Sequence, residues 1–189
     1  MKKFLAITAV ALLTSHSGFS SSIDLVSLGS GSFSILATLG PSSQSATGVT
    51  FGSPISFGDL VGGGIATQNW SGYSNSDFGL LLSASSTAVN LSFSVELYDP
   101  SFSNILNTYG GAVVSIGTSP TFVPLTLSTA GTGDLSSVGG IQIIWGGTSD
   151  AGQTVTVNTV AAVPEPSTYA LIALAAAAFG MRRIRRNRL

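Results

Sequence analysis

The chain of 189 residues contains no cysteine and a single histidine, His16. Without cysteine, neither a disulfide framework nor a thiolate metal site can form. All seven Lys and Arg residues lie near the two ends, and residues 21–163 contain no Lys, Arg or His. Because contacts to phosphate require clustered cations, we predict no nucleic-acid partner for this middle segment.

The same scarcity of bases limits the catalytic chemistry of residues 21–163. A serine nucleophile needs a general base beside it, and the segment supplies neither His nor Lys. Glycoside hydrolysis needs only two carboxylates, so a secreted hydrolase stays open as an alternative. All Asp and Glu residues except Glu165 lie in this segment: Asp24, Asp59, Asp77, Glu96, Asp99, Asp134 and Asp150. They are widely scattered, and we predict a protein that is not an enzyme and has no catalytic residues and no cofactor.

A metal site is the next class of function to consider. Calcium binds several oxygen ligands, which residues 75–77, Asp99 with Asn104, and Asp150 could supply from loops. None of these stretches has regularly spaced acidic ligands, and Asp and Asn also form turns. We therefore predict no metal site, with a structural calcium as the alternative.

The N-terminus has the pattern of a secretory signal peptide. Lys2 and Lys3 precede an apolar run over residues 4–13, and the small residues that follow suit cleavage after Ser20 or Ser22. We predict a signal peptide at residues 1–22, with a buried N-terminal helix as the alternative. His16 lies inside this segment, so a mature chain without it has no imidazole.

The C-terminus has an uncharged apolar stretch at residues 169–181, followed by a basic tail at residues 182–189. As a helix the stretch would be about 20 Å long, against about 30 Å for a hydrocarbon core. Ser167, Thr168 and snorkelling arginines can lengthen it. We predict a transmembrane helix with a cytoplasmic tail, and an Ala-rich core helix as the alternative. The tail arginines are Arg182, Arg183, Arg185, Arg186 and Arg188.

Residues 163–168 form an extended linker in this prediction, because Pro164 and Pro166 oppose helix formation on both sides of Glu165. The order of Pro-Glu-Pro, apolar stretch and basic tail resembles the PEP-CTERM sorting signal of Gram-negative bacteria. The resemblance implies recognition by an exosortase, a membrane-embedded protease or transpeptidase. It also implies removal of the tail and delivery to the cell surface or extracellular matrix, in association with exopolysaccharide and biofilm.

The sequence pattern of residues 23–162 predicts an all-β domain, which we expect to be a β-sandwich or jelly roll of eight to ten strands. In residues 89–98, apolar and polar residues alternate strictly, which is typical of a strand with one buried face. Pro124 predicts an edge or bulged strand. The glycine run at residues 62–64 predicts a loop.

The function predicted from these features is structural or adhesive, within or near an exopolysaccharide matrix. The alternative is a carbohydrate-binding module that uses Trp70 and Tyr73, since both aromatics lie in the polar stretch TQNWSGYSNSD. Exposed aromatic rings stack on sugars, whereas a large ring such as Trp70 can equally pack inward as a core anchor.

Overall fold

The computed structural model describes residues 22–86 and 89–163. The predicted signal peptide, linker, transmembrane helix and basic tail lie outside these residues, except for Ser22 of the signal peptide and Val163 of the linker. In the described part of the chain, every regular element is a β-strand, which confirms the all-β prediction. The strands are β1 (Ile23–Ser27), β2 (Phe33–Leu39), β3 (Ser42–Ser45), β4 (Gly48–Phe51), β5 (Leu60–Gln68), β6 (Phe78–Ala84), β7 (Val89–Tyr98), β8 (Ile105–Ile116), β9 (Thr121–Pro124), β10 (Thr126–Ala130), β11 (Val138–Trp145) and β12 (Val155–Ala162).

The strands form two antiparallel sheets of six strands each. The first sheet has the order β3-β4-β12-β6-β9, with β1 also paired to β12. The second sheet has the order β10-β8-β7-β11-β5-β2. Together Ile23–Val163 form one compact unit. No helix within residues 22–86 and 89–163 is long and apolar enough to cross a membrane.

Aromatic rings from the two sheets meet in the core between them. Trp145 on β11 contacts Phe51 on β4, in the opposite sheet, with ring centroids 5.2 Å apart, and Phe93 on β7 at 5.6 Å. Phe78 on β6 contacts Tyr109 on β8 at 5.5 Å. The contacts Trp145–Phe51 and Phe78–Tyr109 cross from one sheet to the other, so the sheets pack face to face as in a β-sandwich.

Strand β7 shows how the alternating sequence becomes a two-faced strand. Its residues Leu91, Phe93, Val95 and Leu97 are all buried, whereas the residues between them point away from the core. This confirms the strand predicted over residues 88–99, which the structure places at Val89–Tyr98. Because β7 pairs with β8 on one side and β11 on the other, its outward side chains lie in the middle of the outer face of the second sheet.

Two local predictions have different outcomes. Pro124 is the last residue of β9, an edge strand of the first sheet, as predicted. The prediction of a loop at residues 62–64 is wrong, because these three glycines lie inside β5, paired with both β2 and β11. Flanking Ile65 and Val61 also pair with β2, on either side of a register shift between Ile35 and Ala37, so tertiary pairing overrides the weak strand propensity of glycine.

Candidate functional site

The structure places Trp70 in the core rather than on the surface. Its side chain is 1% exposed, its ring lies 5.8 Å from that of Phe78, and its indole Nε1 donates a 2.8 Å hydrogen bond to Gln68 Oε1. Tyr73 is half-buried against the same Phe78. Trp70 therefore packs inward as a core anchor, which was the alternative to an exposed position. Because its ring is buried, the reason for predicting that it stacks on a sugar no longer holds.

Several scattered carboxylates hold turns. Asp59 Oδ2 accepts a hydrogen bond from the Ser56 backbone N–H, and Asp77 Oδ2 accepts one from Ser74 in the same way. Asp134 accepts from the Ser136 N–H, and hydrogen bonds from Ser136 lower the pKa of this carboxyl group. These contacts give three of the carboxylates a structural role at the starts of strands or in connections.

The oxygen-rich loops considered for calcium do not converge on one point. Within residues 22–86 and 89–163, no group of three or more His, Cys, Asp or Glu side chains could hold a metal ion. Asp99 and Asn104 do meet, but the Asn104 amide nitrogen faces the carboxylate, donating to Asp99 Oδ2 at 2.8 Å. Asn75 Oδ1 accepts from Tyr109 and Asn107. Each of these contacts is a hydrogen bond within the protein.

A different set of side chains comes together on the outer face of the second sheet. In the strand register, Gln142 on β11 lies between Glu96 on β7 and Gly62 on β5. Glu96 Oε2 accepts two hydrogen bonds, from the Tyr98 hydroxyl at 2.6 Å and from Gln142 Nε2 at 3.0 Å. An ionised carboxylate has about four acceptor positions, so Glu96 can accept further donors from outside.

The Tyr98 hydroxyl keeps its proton and fixes the orientation of its ring. Burial, together with the hydrogen bond to Glu96 and its charge, raises the pKa of Tyr98 to about 12. The hydroxyl is therefore a donor to Glu96 across the physiological pH range. The Tyr98 ring stacks on Phe102, with centroids 5.9 Å apart and 28° between the planes.

Phe102 is held in an unusual backbone conformation by the loop at residues 99–104. Its φ is +57°, a left-handed value that is uncommon for a bulky residue. Asp99 stabilises the loop: its Oδ1 accepts from the Ser103 N–H at 2.9 Å, and its Oδ2 accepts from Asn104 Nδ2. The hydrogen bond from the Asn104 side chain has the largest effect on the pKa of Asp99, and together these bonds lower it. Strain of this kind is often found where a side chain is positioned for binding.

Glycines leave room for this ring and form the floor beside it. A Cβ at Gly140 on β11 would overlap Phe102 Cε1, so the ring can rest on this strand only above a glycine. A Cβ at Gly62 would come within 3.1 Å of Gln142 Oε1. The Phe102 ring thus covers Gly140 on β11, and the Gln142 side chain lies close to Gly62 on β5.

These elements enclose a groove of about 180 Å³, here called the aromatic groove. Its side wall on β2 is Leu36, which is 66% exposed. The lining residues are Leu36, Ala37, Gly62, Gly63, Tyr98, Phe102, Ile141 and Gln142. The groove thus combines two stacked rings with the Gln142 amide, and the Glu96 carboxylate lies beside it, bonded to that amide. This combination suits a ligand with both apolar faces and hydroxyl groups.

Comparison with known proteins concerns first the C-terminal segment. Residues 162–186 match the family model described as PEP-CTERM protein-sorting motif. The chain carries a PEP-CTERM sorting motif. This confirms the resemblance based on Pro164, Glu165, Pro166 and the basic tail. The motif indicates an exported protein that is anchored at the membrane before it is sorted.

The β-domain is distantly similar to several solved structures. An agarase, AgWH50C, has a TM-score of 0.45 and 10% identity over 77% of this chain, which spans 25% of the agarase. The family 11 carbohydrate-binding module of the cellulase Lic26A-Cel5E of Clostridium thermocellum has a TM-score of 0.43 and 13% identity, covering 77% and 95% of the two chains. The same module in complex with a β-1,3-1,4-mixed-linked tetrasaccharide has a TM-score of 0.43 and 13% identity, with coverages of 76% and 98%. A search of curated proteins finds no match.

Tyr98, Phe102 and Gln142 are not among the residues predicted from the sequence. Alternation along β7 shows which residues point outward but not what lies beside them. One signal was available: a tyrosine ends the outward row of β7, and a phenylalanine follows in the polar loop DPSFSN. The adjacency of Glu96 and Gln142 depends on the pairing of β7 with β11, which no local pattern encodes.

Proposed function

We propose that this protein is sorted by an exosortase to the cell surface or extracellular matrix, where its β-sandwich binds polysaccharide in the aromatic groove. The observation that carries the proposal is the stacked pair Tyr98–Phe102 beside the hydrogen-bonded pair Glu96–Gln142 on one exposed face. Apolar C–H faces of sugar rings fit aromatic rings, and sugar hydroxyls pair with carboxylate and amide groups. The groove offers both within one short span.

The proposed activity is binding without cleavage. Glycoside hydrolysis uses two carboxylates on opposite sides of the scissile bond. The lining of the aromatic groove contains no carboxylate: Glu96 lies beside it, bonded to Tyr98 and Gln142, and the nearby Asp99 holds the loop that carries Phe102. The role is therefore structural or adhesive: the domain attaches to a polysaccharide of the matrix, and the sorting motif brings it there.

Binding to a glycan array, covering neutral and acidic glycans, tests the site. Wild-type domain should bind, and Tyr98→Ala or Phe102→Ala should abolish or strongly reduce the signal, since each removes one ring of the pair. Phe57→Ala is the matched control, because Phe57 is an aromatic residue that is 77% exposed and lies outside the groove. An array with no bound glycan, or equal loss in the Phe57 variant, would contradict the proposal.

Sorting is tested separately with two epitope tags, one before Val163 and one after Leu189. In cells that contain the exosortase, the C-terminal tag should be lost while the internal tag reaches the surface. In cells without the enzyme, both tags should remain together at the membrane. Retention of both tags in the presence of the enzyme would refute exosortase processing.

A further inference from the structure

A second and larger groove lies beside the aromatic groove. It has a volume of about 600 Å³ and is here called the serine groove. We propose that the two grooves form one binding surface for an inner stretch of an uncharged polysaccharide chain; this inference rests on the proposed function. The serine groove is lined by Leu25, Val26, Ser27, Gly31, Ser32, Ser34, Leu36, Gly64, Ile65, Ala66 and Gln68.

The two grooves are continuous along β5 and meet at Leu36. Leu36 lines both, and successive glycines divide between them: Gly62 and Gly63 line the aromatic groove, and Gly64 lines the serine groove. A Cβ at Gly64 would lie 3.7 Å from Phe102 Cζ and 3.9 Å from Leu36 Cδ1. Gly64 of the serine groove therefore lies next to Phe102 of the aromatic groove and next to Leu36, which lines both.

The length of this surface favours a polymer over a single sugar. From Tyr98 on β7 to Leu36 on β2, the path crosses β11 and β5, which at about 4.8 Å between neighbouring strands amounts to about 14 Å. The serine groove then continues to Ser27 on β1, which belongs to the other sheet. One sugar ring would fill only part of this path.

The chemistry of the serine groove suits hydroxyl-rich ligands. Around it, the structure places hydroxyls of Ser32 and Ser34, the amide of Gln68 and the apolar side chains of Leu25 and Ile65, but no ionisable side chain. The Gln68 amide has a fixed orientation, because its Oε1 accepts from the buried Trp70 indole. Its NH₂ group is thereby aimed as a donor, which is a means of recognising a sugar oxygen.

The charge of the domain selects against acidic polysaccharides. Residues 21–163 contain seven carboxylates and no Lys, Arg or His, so an anionic chain finds no positive partner and is repelled. The lining residues of the two grooves include no Asp or Glu, and Glu96, beside the aromatic groove, already accepts two hydrogen bonds from the protein. The matching substrate class is therefore a neutral chain rather than one of uronic acids or sulfated sugars.

Affinity as a function of chain length tests this inference. The probes are oligosaccharides from agarose, from β-1,3-1,4-glucan and from dextran, each from disaccharide to octasaccharide, with alginate oligosaccharides as acidic probes. For a bound series, the octasaccharide should bind about tenfold more tightly than the tetrasaccharide, the effect of about two further net hydrogen bonds. Ser34→Tyr and Ala66→Tyr fill the serine groove from exposed positions and should remove this gain. Thr38→Tyr is the control, exposed on the same strand but outside both grooves.

The outcomes separate the two proposals. If no series, neutral or acidic, binds at any length, the proposed function itself fails. If short oligosaccharides bind through Tyr98 but longer ones bind no more tightly, or if both groove-filling variants keep the gain, the continuous surface is refuted. Binding of alginate oligosaccharides as tight as that of the neutral ones would overturn the assignment of an uncharged chain.

Discussion

Replacing Phe102 by glycine and, in a second protein, by alanine separates the strain of its backbone from the contribution of its ring. Among the described residues, Phe102 is the one non-glycine residue with a positive φ, which is +57°. Both variants lose the stacked contact with Tyr98 and the cover over Gly140. The difference in stability between them therefore reports the backbone conformation alone.

The size of this difference follows from two opposing effects. A left-handed conformation costs a non-glycine residue about 1–2 kcal/mol, and glycine avoids this cost. Glycine loses more freedom on folding, which favours alanine by about 0.4–1 kcal/mol. We therefore expect Phe102→Gly to be more stable than Phe102→Ala by about 1 kcal/mol, the reverse of the usual order.

Urea unfolding at 25 °C, with the free energy extrapolated to zero denaturant, measures this difference. The same pair of substitutions at Phe57 is the control, because Phe57 is exposed in a turn and has no positive φ. There alanine should be the more stable variant. If Phe102→Ala equals or exceeds Phe102→Gly in stability, the loop does not hold Phe102 in a left-handed conformation, and the strained presentation of its ring is wrong.

Three other changes give distinct results. Trp70→Ala should lower the free energy of unfolding by about 3–5 kcal/mol through loss of core packing, measured by urea unfolding, while the folded fraction binds the same glycan as wild type. Gly140→Ala should displace the Phe102 ring and weaken glycan binding by about two- to tenfold, the worth of an aromatic pair, in isothermal titration; Gly72→Ala, with no neighbour within 4 Å, should bind normally. Hydrogen bonding lowers the pKa of Asp99 in the folded protein below its ordinary value of 3.8. The ionised carboxylate therefore stabilises the loop above pH 3.8, and this stabilisation is lost as the pH falls through the lower pKa of the folded state. In an NMR pH titration, the amide shifts of Ser103 and Asn104 should be steady above pH 3.8 and move below it; the same acid step in Asp99→Asn would contradict this assignment.

Periodicity predicted the parts of the fold in which one strand face is buried. The alternating residues of β7 were identifiable because the pattern is local. The strand at residues 60–68 was not, since Gly62, Gly63 and Gly64 carry no side chain to alternate. Their strand conformation comes from pairing with β2 and β11, which are distant in sequence.

The candidate site shows the same division between local and long-range information. Composition correctly indicated that the domain has no cationic surface, because a count of Lys and Arg needs no structure. The choice of aromatic residues could not be made from composition: Trp70 and Tyr98 both lie beside polar residues, yet only long-range packing shows that Trp70 is covered by Phe78. Tyr98, in contrast, lies on the outer face of the second sheet, with its ring stacked on Phe102.

NMR titration of the ¹⁵N-labelled domain with a neutral oligosaccharide that it binds tests the location of the site most directly. We expect the largest amide shift changes at Glu96, Tyr98, Phe102 and Gln142, and for longer oligosaccharides also at Leu36 and Ser34. Shift changes centred on Trp70 and Tyr73, with the outer face of the second sheet unaffected, would contradict the proposed location of the binding site.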